Sequence, residues 1–119
     1  MGGWRYFRYE EFACPCCGKN ETDEALIDFL DDARKEAGIP FIITSGYRCP
    51  RHNEEIGGKP DSAHLKGLAA DILCRTSQER FKIVQALIWV GFRRIGIGKN
   101  FVHADLDFDK PYPVIWLYP

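Results

Sequence analysis

Residues 101–107 read FVHADLD, and this alternation constrains the fold more than any other stretch of the chain. In an extended strand, period two sends Val102, Ala104 and Leu106 to one face and Phe101, His103, Asp105 and Asp107 to the other. The first set belongs on a core. The second projects a histidine and carboxylates together from a polar face. Four other runs have strand character: FIITS (41–45), LAADIL (68–73), RIGI (94–97) and VIWLY (114–118).

Two segments have helical periodicity. In the first, Thr22 can cap, Asp23 and Glu24 suit the positive end of the helix dipole, and Leu26, Phe29, Leu30, Ala33 and Ala37 form an apolar stripe that stops at Gly38 and Pro40. In the second, Thr76 and Glu79 make a capping-box pattern, Phe81, Val84, Leu87 and Ile88 share a face, and Gly91 is the stop. Both helices read as scaffold. The order helix, strand, strand, helix, strands predicts an α+β fold with a small, mainly antiparallel sheet and two principal helices.

The 119 residues fit one domain, 1–119, with one modest core, so a single site should carry the function. Acidic and basic residues are interspersed, with a net charge of −1 at pH 7, which lacks the basic excess that nucleic-acid binding needs. No apolar run is long enough to span a bilayer, and MGGWRYFRYEEF lacks the apolar core of a signal peptide. We therefore expect cytoplasmic synthesis, no membrane insertion and a monomer.

His103 acquires partners in SAHLKGLAADI (62–72), where His64 and Asp71 stand among small residues that leave room for close approach. A catalytic zinc commonly takes three protein ligands and a water, and His64, Asp71 and His103 supply that number. One carboxylate and two neutral imidazoles leave the site net positive, so the metal can polarise a carbonyl and acidify water.

The chain resembles the zinc D-Ala-D-Ala carboxypeptidases and the related bacteriophage endolysin peptidases, which share a fold with the signalling domain of Hedgehog proteins. The pattern S-x-H-x-x-G-x-A-x-D is met by Ser62, His64, Gly67, Ala69 and Asp71. Upstream, SGYRCPRHN (45–53) resembles the family's S-G-[YF]-R segment, and FVHADLD resembles its final histidine strand. The ends, EFACPCCGKN (11–20) and KPYPVIWLY (110–118), resemble a phage and prophage subset.

The resemblance implies a zinc peptidase acting on peptidoglycan stem peptides or their cross-links. The ion would be held by His64, Asp71 and His103, and Arg48 would face the substrate, where a guanidinium can stabilise an oxyanion or grip a carboxylate. Ser62 reads as a hydrogen-bonding support beside the first ligand, and His52 as structural, bonding its own loop with Asn53. Several relatives carry a catalytic acid three residues before the last histidine, where this chain has Asn100. Asp105 is then the available general base, or alternatively a partner that orients a histidine ligand. Asp107 and Asp109 read as solvated acids. Such a protein would reach the wall after release or on a virion. The alternative is a non-catalytic wall-binding or virion-associated module on the same fold.

Cys14, Cys16, Cys17 and Cys49 admit three readings: a second, structural zinc, a disulfide, or free thiols. C-x-C-C is not the usual C-x-x-C knuckle, which counts against the first. Cys74 closes a strand and reads as core.

Overall fold

The structure is a computed structural model and describes residues 3–119. Met1 and Gly2, which open the stretch read for a signal segment, lie outside the described residues. Among the described residues, three α-helices, α1 (Glu24–Ala37), α2 (Pro50–Glu55) and α3 (Ser77–Val90), accompany five strands, β1 (Ile43–Ser45), β2 (Ala69–Leu73), β3 (Arg94–Ile97), β4 (Phe101–Asp105) and β5 (Val114–Leu117). The strands form one sheet in the order β1-β2-β4-β3-β5. Every pairing is antiparallel except β3 with β5. The fold is α+β with a mostly antiparallel sheet, as the order of elements predicts.

Capping sets where the helices begin and end. Asp23 rather than Thr22 caps α1, its carboxylate accepting from Ala25 N at 2.9 Å, and Gly38 ends the helix in the left-handed region at φ 70°. Thr22 is buried and donates to Asn20 instead. On α3, Thr76 accepts from Glu79 N at 3.0 Å, and Glu79 reaches back to Arg75 N. Gly91 stops it.

The core is one contiguous cluster. It takes Leu26, Ile27, Leu30 and Ala33 from α1, Ile83, Ala86 and Leu87 from α3, and Ala70, Ile72, Val102, Ala104 and Ile95 from the sheet. Cys74 belongs to it. The stripe expected on α3 differs from the observed one: Phe81 and Ile88 are exposed, and the buried face is Ile83, Ala86 and Leu87. The two helices pack against each other as well as on the sheet, and Phe29 of α1 meets Phe92, just beyond the end of α3, edge to face. With α1 and α3 on one side, the opposite face of the sheet is open to the side chains of the site.

Candidate active site

Register assembles the site. One cross-strand row runs Ser45, Asp71, His103, Gly96, Trp116 through all five strands, and the row beside it runs Ala69, Asp105, Arg94, Val114. All these positions share the face away from the helices, because residues two apart on a strand point the same way. The core face of β4 is Val102 and Ala104, both fully buried.

His64 comes from outside the sheet, on a short 3-10 turn, Ala63–Lys66, capped by Ser62, whose hydroxyl accepts from His64 N at 3.2 Å. The turn ends at Gly67, in the left-handed region at φ +72°, where a Cβ would lie 2.0 Å from the Glu21 carbonyl oxygen. Only glycine lets the chain ahead of α1 pass this closely, and Asp23 N donates to Gly67 O across the contact at 2.8 Å.

The tautomer of His64 follows from its partner. Nδ1 stands 2.7 Å from Gly46 O. A carbonyl oxygen only accepts, so Nδ1 carries the hydrogen and Nε2 offers a lone pair. That Nε2 is buried, lies 3.3 Å from Asp71 Oδ1, and has no hydrogen-bond partner among the described residues. Burial lowers the pKa of His64, which keeps the ring neutral.

Asp71 Oδ1 also lies 2.8 Å from His103 Nδ1, and one ligand atom from each of His64, Asp71 and His103 lies within 4.8 Å of the others. Burial works to raise the Asp71 pKa, but the contacts with His103 and His64 outweigh it and hold the carboxyl well below the usual range. Arg48 adds a cation, with its terminal nitrogen 3.5 Å from Asp71 Oδ2 and its Nε donating to Ser45 Oγ at 3.0 Å.

Asp105 sits behind His103 and is 1% exposed. Its Oδ2 lies 2.7 Å from His103 Nε2, while Oδ1 takes Arg94 Nε at 2.8 Å and Asp107 N at 3.0 Å. Both oxygens are engaged on the side of the imidazole away from Asp71. Burial acts to lower the His103 pKa, but Asp105 and Asp71 on its two nitrogens raise it overall.

Two expectations need correction. Asp107 is not a solvated acid: it is 1% exposed, held by Lys66 at 3.0 Å and Lys110 at 3.1 Å. Asp109 alone of the pair is exposed. His52 belongs to α2, where its backbone N–H donates to Cys49 Sγ. Its neighbour Asn53 is buried and bonds Arg48 and the Lys59 carbonyl. Asn100 is exposed in the turn before β4, and its carbonyl accepts from Cys74 N.

Three side chains went unassigned in the sequence. Arg94 stacks over the Trp116 ring at 4.9 Å while holding Asp105, Trp116 lies 5.4 Å from the His103 ring, and Tyr118 lies 6.2 Å from it. Burial and the nearby Asp71 push the Tyr118 phenol up to about 12, so it remains a donor at neutral pH. Period two over 114–118 already separates Val114, Trp116 and Tyr118 from Ile115 and Leu117, a signal that could have found the aromatic pair.

A family model for peptidase M15 matches residues 5–105. The chain belongs to the M15 peptidase family. No individual curated protein matches it. The M15 match takes in Arg48, His64, Asp71, His103 and Asp105, so β5 with Trp116 and Tyr118 lies beyond it.

Proposed function

We propose that this M15 peptidase is zinc-dependent and hydrolyses peptide bonds of bacterial peptidoglycan, as a D-Ala-D-Ala carboxypeptidase or as an endopeptidase of stem peptides and cross-links. The observation that carries the reading is the buried lone pair of His64 Nε2, unpartnered and converging with Asp71 Oδ1 and His103 Nδ1. Two imidazole nitrogens and a carboxylate oxygen suit zinc, and a buried acceptor without a donor costs roughly 1–3 kcal/mol unless a ligand claims it. When bound, zinc supplies a Lewis acid that polarises a peptide carbonyl and acidifies water.

The protein's own groups then divide the work. Gly46 O fixes the His64 tautomer so that Nε2 faces the site. Asp105, held by Arg94, orients His103 through Nε2 and leaves Nδ1 toward Asp71. We assign Asp105 this positioning role in preference to that of base, because neither of its oxygens is free. Arg48, partly buried and tethered by Ser45 and Asn53, presents a guanidinium suited to a peptide carboxylate or a developing oxyanion. Tyr118 offers a neutral phenol on the β5 side. Ser62 supports the backbone of His64.

Among the described residues, no helix is long and apolar enough to cross a membrane. The reading has the protein made in the cytoplasm and acting at the wall after release or on a virion, as a monomer. A second reading, a wall-peptide-binding module without catalysis, draws on Asn100, an amide at the position where several relatives have an acid. Incubating the purified protein with peptidoglycan, with and without chelator, and identifying the fragments by mass spectrometry decides between them. Chelator-sensitive stem-peptide fragments are expected. Zinc-dependent wall binding without fragments selects the second reading, and neither binding nor cleavage overturns both.

A further inference from the structure

Four of the five cysteines form a cluster outside the catalytic face that this reading of the peptidase does not use. Cys14, Cys16 and Cys17 lie in the loop before α1, and Cys49 caps α2, yet their sulfurs all fall within 4.8 Å of one another. The Cys14 and Cys16 sulfurs are 3.6 Å apart and those of Cys16 and Cys49 are 3.4 Å apart. Zinc–sulfur bonds of about 2.3 Å place neighbouring ligands of a tetrahedron about 3.8 Å apart, whereas bonded sulfurs sit at about 2.05 Å. The cluster is close to the first spacing.

The backbone is arranged around the sulfurs as well. Gly18 N donates to Cys14 O at 2.8 Å, and Cys14 N to Lys19 O at 2.8 Å, which closes a tight loop and turns Cys17 back toward Cys14. These two cysteines stand at the C-x-x-C spacing of a zinc knuckle, with Cys16 as an extra ligand between them, so the C-x-C-C run contains the usual pattern. Two amides already point at sulfur: Cys49 N at Cys14 Sγ and His52 N at Cys49 Sγ, each at 3.4 Å. Such donors stabilise thiolate charge.

We propose that Cys14, Cys16, Cys17 and Cys49 hold a structural zinc ion that clamps the loop before α1 to the segment following β1. Four sulfurs leave no open position, so this ion takes no part in catalysis, and its binding displaces four thiol protons to solvent. The clamped segment continues a contact between Tyr47 N and Phe12 O at 2.8 Å. It carries the Gly46 carbonyl that fixes His64 and the Arg48 beside Asp71. The metal assignment stands on the sulfurs alone. Only its effect on Arg48 rests on the proposed peptidase reading.

The test uses the full-length His64→Ala/His103→Ala double variant, which isolates the thiolate site from the catalytic one. Prepared under reducing conditions and loaded with cobalt, it should bind one equivalent and show intense sulfur-to-cobalt charge-transfer absorption in the near ultraviolet. Adding Cys49→Ser should abolish or strongly reduce that absorption. Because a cysteine variant can fail to fold, zinc release from the wild-type protein is measured in parallel during titration with a mercurial reagent. One equivalent should leave as four thiols react, with a fall in Tm, since binding to the folded state alone adds to stability. The assignment is overturned if the double variant binds no cobalt while its four thiols titrate freely, or if peptide mapping of protein purified without reductant finds disulfides among them and no metal. Failure of the peptidase reading leaves these signals untouched.

Discussion

Replacing Asp105 by asparagine tests how the site is held together. Oδ2 lies 2.7 Å from His103 Nε2, and Oδ1 accepts from Arg94 Nε and Asp107 N. An amide has one oxygen and one donor group. If the oxygen stays with Arg94 and Asp107, the NH2 faces His103 Nε2, which must then accept. The ring hydrogen moves to Nδ1, the nitrogen that faces Asp71 and the metal position. If the amide flips, His103 keeps its tautomer but NH2 meets the Arg94 guanidinium, donor against donor. Either arrangement loses one contact of a buried network. Loss of an orienting partner typically costs 10–100-fold in metal affinity, about 1.4–2.8 kcal/mol. The folded state should lose a further ~1–3 kcal/mol for the weakened Arg94 contact, below the full cost of a stranded buried charge because Arg94 also bonds the Pro111 carbonyl and stacks on Trp116. Competition with a chromophoric chelator reads the zinc Kd directly, and turnover is compared at limiting and at saturating zinc. The reasoning predicts a weaker Kd and a rate deficit that narrows as zinc saturates. An unchanged Kd with turnover down 10²- to 10⁴-fold at saturating zinc would falsify it and restore Asp105 as the base.

Arg48→Lys should keep zinc and lower kcat/KM by roughly 10²-fold, because an ammonium does not reproduce the planar fork; unchanged kinetics on a wall peptide would make Arg48 a structural charge. His64→Ala, with the cysteines blocked, should hold no stoichiometric zinc by elemental analysis, and full retention would remove His64 from the ligand set. At Gly96 a Cβ would come within 2.6 Å of the Tyr118 ring and 2.8 Å of Trp116, so Gly96→Ala should cost about 1–3 kcal/mol in thermal unfolding and alter tryptophan fluorescence. A variant with wild-type Tm and emission would show the aromatics free to step aside. Burial acts against ionisation of Asp107, but Lys66 and Lys110 outweigh it and depress its pKa, so its stabilisation is present above the unfolded value of about 4 and lost as pH falls below it. The Tm gap between wild type and Asp107→Asn should therefore be widest near neutrality and close in acid; a gap independent of pH would rule out the ionic origin.

The parts legible in the sequence were those governed by short-range rules. Capping residues and glycine stops placed α1 and α3 to within a residue or two, and period two identified the core face of β4. The S-x-H-x-x-G-x-A-x-D spacing singled out His64 and Asp71 because the turn and the first residues of β2 are local. What escaped depends on partners distant in the chain. Asp107 looks like any surface acid until Lys66 is folded against it. Phe81 and Ile88 fit a helical stripe as well as Ile83 and Ala86 do, and only the packing of α3 on α1 chooses between them. Trp116 and Tyr118 matter because β5 pairs in parallel with β3, which no neighbouring residue announces. Arg94, read simply as the start of a strand, becomes the support of Asp105 through register with β4.

The position of β5 at the sheet edge, joined to β4 by the segment 106–113, separates two things that evolution can vary independently. The residues converging on Asp71 come from inner strands and the turn before them, where a one-residue slip would turn every side chain to the other face. An edge strand has one neighbour. Lengthening or shortening its connection by two residues would slide Trp116 and Tyr118 along β3 by about 6.6 Å and keep their facing intact. The aromatic wall is thus an adjustable jaw beside a fixed anvil: its reach along a bound peptide can change while His64, Asp71 and His103 stay where they are.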